Sequence, residues 1–110
     1  MQMNKYLETY HIKDIRNYCQ NRCIKIVNED LNNKELLPYF RGKYKGYIYM
    51  IKVCNNILKQ NTSLKRHELY NHLKEQKRTA MYNCKIRGGF STGLTECFYD
   101  LMNYISINEM

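Results

Sequence analysis

The chain has 110 residues, 44% of them apolar, with eleven Tyr, three Phe and six Met, and its 18 Lys and Arg against 10 Asp and Glu leave a net charge of +8. That length suits one hydrophobic core and excludes two independent domains, so residues 1–110 are expected to form a single α-helical domain. No apolar run approaches the roughly 18 to 20 residues of a membrane span, and the five cysteines are odd in number and lack paired spacing, so neither a membrane partner nor a disulfide scaffold is expected.

In chain order, the first element is a helix expected over about residues 4–29, where Ile12, Ile15, Cys19, Cys23 and Ile26 recur at intervals of three and four. "EDLNNKE" breaks that pattern, with Asn32 and Asn33 as turn or cap residues. A second helix is expected over 38–60. Pro38 suits its first position, where the missing N–H costs nothing. Phe40, Tyr44, Tyr47, Ile48, Ile51 and Leu58 mark one face, and Met50, Val53 and Ile57 a second, the pattern of a helix at the centre of a bundle.

Gly42 and Gly46 fall inside this helix, each unfavourable by about 1 kcal/mol relative to Ala, and their spacing of four implies that another backbone crosses closely there. The alternative makes "RGKYKG" a loop, with the helix starting only after Gly46. "GYIYMI" is the one short run of β-formers that argues against an all-α fold.

After "QNTS", which supplies cap residues, a third helix is expected over 63–87, and "RGGFSTG" interrupts it with three glycines. Thr92 then caps a final helix, over 92–106, in which Leu94, Phe98, Leu101, Met102 and Ile105 keep helical spacing. The expected fold is all-α, a single compact bundle of about four helices packed around the second.

The charge is unevenly placed. Residues 38–90 hold twelve Lys and Arg against Glu68 and Glu75 alone, whereas the remaining residues hold six against eight acids. Arg41, Lys45, Lys52 and Lys59 line one side of the second helix, and Lys74, Arg78 and Lys85 one side of the third, with tyrosines interleaved. Cations neutralise phosphates and tyrosine rings stack on unpaired bases, so the combination suits nucleic acid, and an acidic protein or nucleoprotein surface would be met by the same groups. The expected contact residues are Arg41, Lys45, Lys52, Lys74, Lys77, Arg78, Lys85 and Arg87, with Tyr44 and Tyr82 as stacking groups. "KIRGGFSTG" is either a backbone nest for an anion beside Lys85 and Arg87 or simply a helix stop.

Two further patterns compete. Glu68, Leu69, Leu73, Thr79, Ala80 and Cys84 resemble helix-turn-helix spacing, although Tyr70 stands where a small residue is usual and Lys74 where the turn glycine is. "RHELYNH" resembles the Arg-x4-6-His pattern of HEPN ribonucleases, small helical bundles that cleave RNA without metal. That resemblance covers seven residues and implies Arg66 as the phosphorane-stabilising group and His72 as the general acid or base.

Cys19 and Cys23, one turn apart, have no CxxC and no His pair to complete a zinc set, and His67 and His72 are five apart, so no metal and no cofactor is expected and the thiols are assigned to the core.

With unpaired cysteines and no N-terminal stretch of signal-peptide type, the protein is expected in the cytoplasm. The Asn, Lys, Ile and Tyr bias fits AT-rich codons, as in phages and mobile elements, which adds the cytoplasm of an infected host cell. The leading expectation is a non-enzymatic protein that binds nucleic acid or a nucleic-acid-bound enzyme, such as a phage regulator or an anti-CRISPR-like inhibitor of a host defence nuclease. A protein-only adaptor, with tyrosines and methionines forming an apolar patch, is the third class. Oligomeric state is left open.

Overall fold

The computed structural model describes residues 6–60, 64–83 and 88–107. Four helices carry nearly all of them: α1 (Thr9–Asn28), α2 (Leu37–Gln60), α3 (Arg66–Tyr82) and α4 (Gly89–Ile107). The all-α bundle expected from periodicity is the observed architecture.

Helix α1 buries the predicted stripe in full, Ile12, Ile15, Cys19, Cys23 and Ile26. It begins at Thr9 and not near residue 4, because Tyr6–Leu7 is extended and pairs antiparallel with Leu64–Lys65, Tyr6 opposite Lys65 and Leu7 opposite Leu64. That two-residue ladder buries Leu7 and ties the start of α1 to the start of α3. The Glu8 N–H donates to His11 Nδ1 at 3.0 Å, which satisfies one of the backbone donors left over at the helix start. Two 3-10 turns, Asp30–Asn32 and Lys34–Leu36, fill the break, and Asn33 caps the second by accepting from the Leu36 N–H at 3.3 Å.

Helix α2 runs unbroken from Leu37 through both glycines, so the loop reading of "RGKYKG" is overturned, and "GYIYMI" is helical. Its β-formers are tolerated there because the helix is covered on more than one side: Tyr47 and Met50 are buried and Ile48, Tyr49 and Ile51 half-buried.

A backbone does cross at the glycines. A Cβ on Gly42 would lie 2.0 Å from the Phe90 carbonyl oxygen, and one on Gly93 2.0 Å from that of Tyr39, so α2 and α4 touch backbone to backbone from both sides. Helix α1 packs on α2 and α3 on α4, which makes α2 and α4 a central pair where α2 alone was expected at the centre.

Helix α3 passes through Lys74 without a turn, so the helix-turn-helix break is absent. It ends at Tyr82, capped by the Asn83 N–H, short of the expected residue 87; residues 84–87, with Lys85 and Arg87, lie outside the described residues. Helix α4 starts three residues before the expected Thr92. Gly88 takes a left-handed φ of 59° just before the helix, and Thr92 donates its hydroxyl to the Gly88 carbonyl at 3.2 Å from within the first turn.

The core gathers Ile12, Ile15, Tyr47, Met50, Leu69, Leu73, Leu101 and Ile105 with four cysteines, Cys19, Cys23, Cys54 and Cys97. All four are free thiols, and burial holds each above the ordinary thiol range, Cys54 at about 12. Among the described residues no helix is long and apolar enough to cross a membrane.

Candidate anion-binding groove

The same periodicity that buries α3 sets its charged flank. With about 100° per residue, the buried Leu69, Leu73 and Ala80 leave Lys74, Lys77, Arg78 and Met81 on the side that borders α4. On α4, Phe98 and Met102 are buried, and Tyr99 and Asn103, each one residue further along, stand out from the core stripe.

Between the two flanks lies a groove of about 690 Å³, lined by Tyr70, Asn71, Lys74, Glu75, Lys77, Arg78 and Met81 from α3 and by Tyr99, Met102 and Asn103 from α4. Its walls keep apolar surface in solvent: Tyr99 is 55% and Met81 53% exposed. Lys77 Nζ sits 5.1 Å from the Tyr99 ring centroid, a cation–π contact that positions a charge directly over an aromatic platform.

Past Lys77, Met81, Tyr99 and Asn103 the depression continues, with about 630 Å³ more, towards Arg22 of α1 and Lys43 of α2. The acids along this path are engaged internally. Asp100 Oδ2 accepts hydrogen bonds from Tyr18 at 2.6 Å and Tyr47 at 2.5 Å, and Oδ1 pairs with Arg22 at 3.6 Å. Arg22 Nε also donates to the Tyr18 hydroxyl at 3.2 Å, and the Tyr18 ring stacks on Tyr104 with centroids 4.0 Å apart. Burial and then the bond to Asp100 raise Tyr18 to about 12, and the same two causes raise Tyr47 further. Glu96 accepts from the Tyr39 hydroxyl, and Glu75 meets Arg78 at 3.9 Å, a solvent-exposed pair contributing about 0–1 kcal/mol. The groove itself therefore carries three cations, Lys74, Lys77 and Arg78, against one carboxylate, Glu75.

The remaining sequence-predicted residues stand elsewhere. Arg41, Lys45 and Lys52, with Lys59, are exposed on the face of α2 turned away from the buried Tyr47, Met50 and Cys54, and none of them lines the α3–α4 groove, so the expected continuous surface is divided into two. Tyr44 is half-buried against the core, whereas Tyr82 is 83% exposed at the end of α3.

Arg66 and His72 are not brought to one open site. Six residues apart on α3, they are about 120° apart around its axis. Arg66 is buried at 6% exposure and lines a small cavity with His11 and Asp14; burial, then the Arg66 charge, holds His11 below the usual imidazole range. His72 Nε2 is hydrogen-bonded with the Tyr49 hydroxyl at 2.6 Å. Among the described residues no group of three or more His, Cys, Asp or Glu is placed to hold a metal ion.

Sequence reasoning missed Tyr99, Asn103, Lys43 and Arg22. Tyr99 carried a usable signal: it is a large aromatic immediately after Phe98, off the stripe that α4 buries, where a core residue would not be placed. Comparison of the chain with protein-family models, with curated proteins and with solved structures finds no match in any of the three.

Proposed function

We propose that this is a small, basic, non-enzymatic binding protein that engages nucleic acid, free or held by an enzyme, through the α3–α4 groove. The observation that carries this reading is one depression that holds Lys74, Lys77 and Arg78 against the single carboxylate Glu75, with Lys77 over the exposed Tyr99 ring and the neighbouring Asp100 engaged by Tyr18 and Tyr47. Lysine and arginine neutralise phosphates, and a ring beside them stacks on a base that is not already stacked in a duplex. A cleft between two packed helices, whose axes lie about 8–10 Å apart, is too narrow for a double helix and admits a single strand or an unpaired loop.

Size, charge and AT-rich residue usage support a cytoplasmic role as a phage or mobile-element regulator, or as an anti-CRISPR-like inhibitor whose target is a nuclease carrying its nucleic acid.

The test is a salt series of binding to labelled single-stranded DNA, structured RNA and duplex DNA, with each nucleic acid recovered intact or cleaved. Tight single-strand binding that weakens with salt, and that falls at least about tenfold in a Lys74→Glu/Arg78→Glu variant, is expected. Absence of binding at low salt, or an unchanged affinity in the variant, refutes the proposal. Recovery of cut RNA from the wild type but not from His72→Ala would replace it with the ribonuclease reading.

A further inference from the structure

The outer face of α2 is unlike the groove. Arg41, Lys45, Lys52 and Lys59 are all exposed there, none has an ion-pair partner among the described residues, and α2 contains no Asp or Glu. Lys45, Lys52 and Lys59 are separated by two turns each, so with Arg41 the stripe runs about 27 Å along the helix, the rise of about eight base pairs. None of the exposed aromatic rings among the described residues belongs to α2. Charge without an accessible ring reads phosphates and not bases.

From these features we infer that the outer face of α2 is a second, independent site for the phosphate backbone of duplex nucleic acid, so that one chain bridges a duplex and an unpaired strand. The stripe lies on the face of α2 turned away from the buried Tyr47, Met50 and Cys54, about a quarter turn around the helix from Gly42 and Gly46, and the groove lies between α3 and α4. The two sites therefore stand on different helices, α2 on one hand and α3 with α4 on the other, within a bundle whose shorter dimensions are 29 and 28 Å. A flat cationic stripe follows a duplex surface that the cleft excludes, so each site prefers the ligand that the other does not take. The second ligand of the bridge rests on the groove reading; the duplex site does not.

The experiment places a random-sequence duplex on beads, adds the protein, and asks whether it retains a labelled, non-complementary oligothymidylate. Wild type should retain it, and free duplex should displace the protein from the beads while free oligothymidylate should not. Lys45→Glu/Lys52→Glu/Lys59→Glu should lower duplex affinity by about tenfold or more, keep oligothymidylate affinity, and abolish retention. Lys74→Glu/Arg78→Glu should lower oligothymidylate affinity, keep duplex affinity, and likewise abolish retention. The corresponding Lys→Gln variants, with helicity followed by circular dichroism, separate loss of charge from loss of fold.

Full duplex affinity in the α2 variant, or mutual competition between the two nucleic acids in the wild type, overturns the second site, including the case in which a dimer bridges through two copies of one groove. If the α2 variant loses duplex binding while the α3 variant leaves oligothymidylate binding unchanged, the duplex site stands and the groove reading fails.

Discussion

Replacing Gly42 with Ala tests the helix crossing on which both sites depend. The added Cβ would stand 2.0 Å from the Phe90 carbonyl oxygen, 2.9 Å from its carbon and 3.1 Å from the Leu94 nitrogen, all backbone atoms that no rotamer change can move. Reaching an ordinary contact of 3.4 Å or more requires α2 and α4 to part by over an ångström at that point, loosening the packing around Tyr47, Met50, Cys97 and Leu101. Forced overpacking of a close-packed core costs about 1–3 kcal/mol, and a clash with rigid backbone belongs at the upper end. Alanine's better helix propensity returns about 1 kcal/mol. The net expectation is a loss of about 2 kcal/mol and a fall in Tm of about 10 °C by calorimetry. Gly93→Ala should match it, because its Cβ meets the Tyr39 carbonyl at the same 2.0 Å. Gly46→Ala should cost somewhat less, because it meets the Cys97 Sγ at 2.6 Å, which can rotate, and the Cys97 Cβ at 2.9 Å, which needs a far smaller shift than a carbonyl oxygen at 2.0 Å. Gly89→Ala, with nothing nearer than 3.4 Å, should change stability by no more than about 0.5 kcal/mol. A Gly42→Ala protein as stable as wild type would refute the backbone crossing, and so would Gly46→Ala proving the more damaging change.

Single-strand binding through three cations should follow a slope of about −2.1 in log affinity against log salt, an eighteenfold or so loss between about 50 and 200 mM, and Lys77→Gln should make that slope about 0.7 shallower; titrations by fluorescence anisotropy read both, and a slope near zero would exclude phosphate contacts. Stability should fall as pH rises above the ordinary tyrosine value of 10.0 towards about 12, because Tyr18 and Tyr47 are held protonated in the folded state and released only on unfolding; phenolate absorbance that rises together with loss of helicity confirms this, and tyrosines that all ionise in a fully folded protein contradict it. Asp100→Asn keeps the shape but leaves Tyr18, Tyr47 and Arg22 facing a neutral amide, for a loss of about 1–3 kcal/mol in urea unfolding. In combination with Tyr47→Phe the two losses should be less than additive, since they share one contact.

The elements were legible where periodicity speaks about one helix at a time. Every member of the α1 stripe is buried, and the two glycines of α2 mark a true crossing, because a residue unfavourable to a helix is retained there only for the space it leaves. Periodicity does not say against which helix a face is buried. Lys45 and Lys74 read from the sequence as parts of one basic surface, yet the α2–α4 contact turns the first away from the second. The Asp100 cluster was invisible for a related reason: its tyrosine partners lie 82 and 53 residues away in sequence, and no local spacing signals such a meeting. Arg66 counted as an accessible charge because Arg is seldom buried, whereas the short Tyr6–Leu7 ladder beside it closes that end of the bundle. The start of α4 was misplaced because Gly88, with its left-handed φ, stands directly before the helix and its carbonyl takes the Thr92 hydroxyl, which gives Thr92 a hydrogen-bonding role inside the first turn and not at its cap.

The buried thiols give the molecule a built-in gauge of its own opening. Cys19, Cys23, Cys54 and Cys97 come from three helices, are nearly sealed from solvent, and have their thiolate forms suppressed by burial, so a thiol-specific reagent should ignore them until the helices separate. In a Cys84→Ser background, labelling rate thus measures how often the bundle opens. Because Cys97 sits against Gly46 at the α2–α4 crossing and Cys19 and Cys23 sit on α1, identifying which cysteine is modified first would show whether α1 peels away alone or the central pair parts with it.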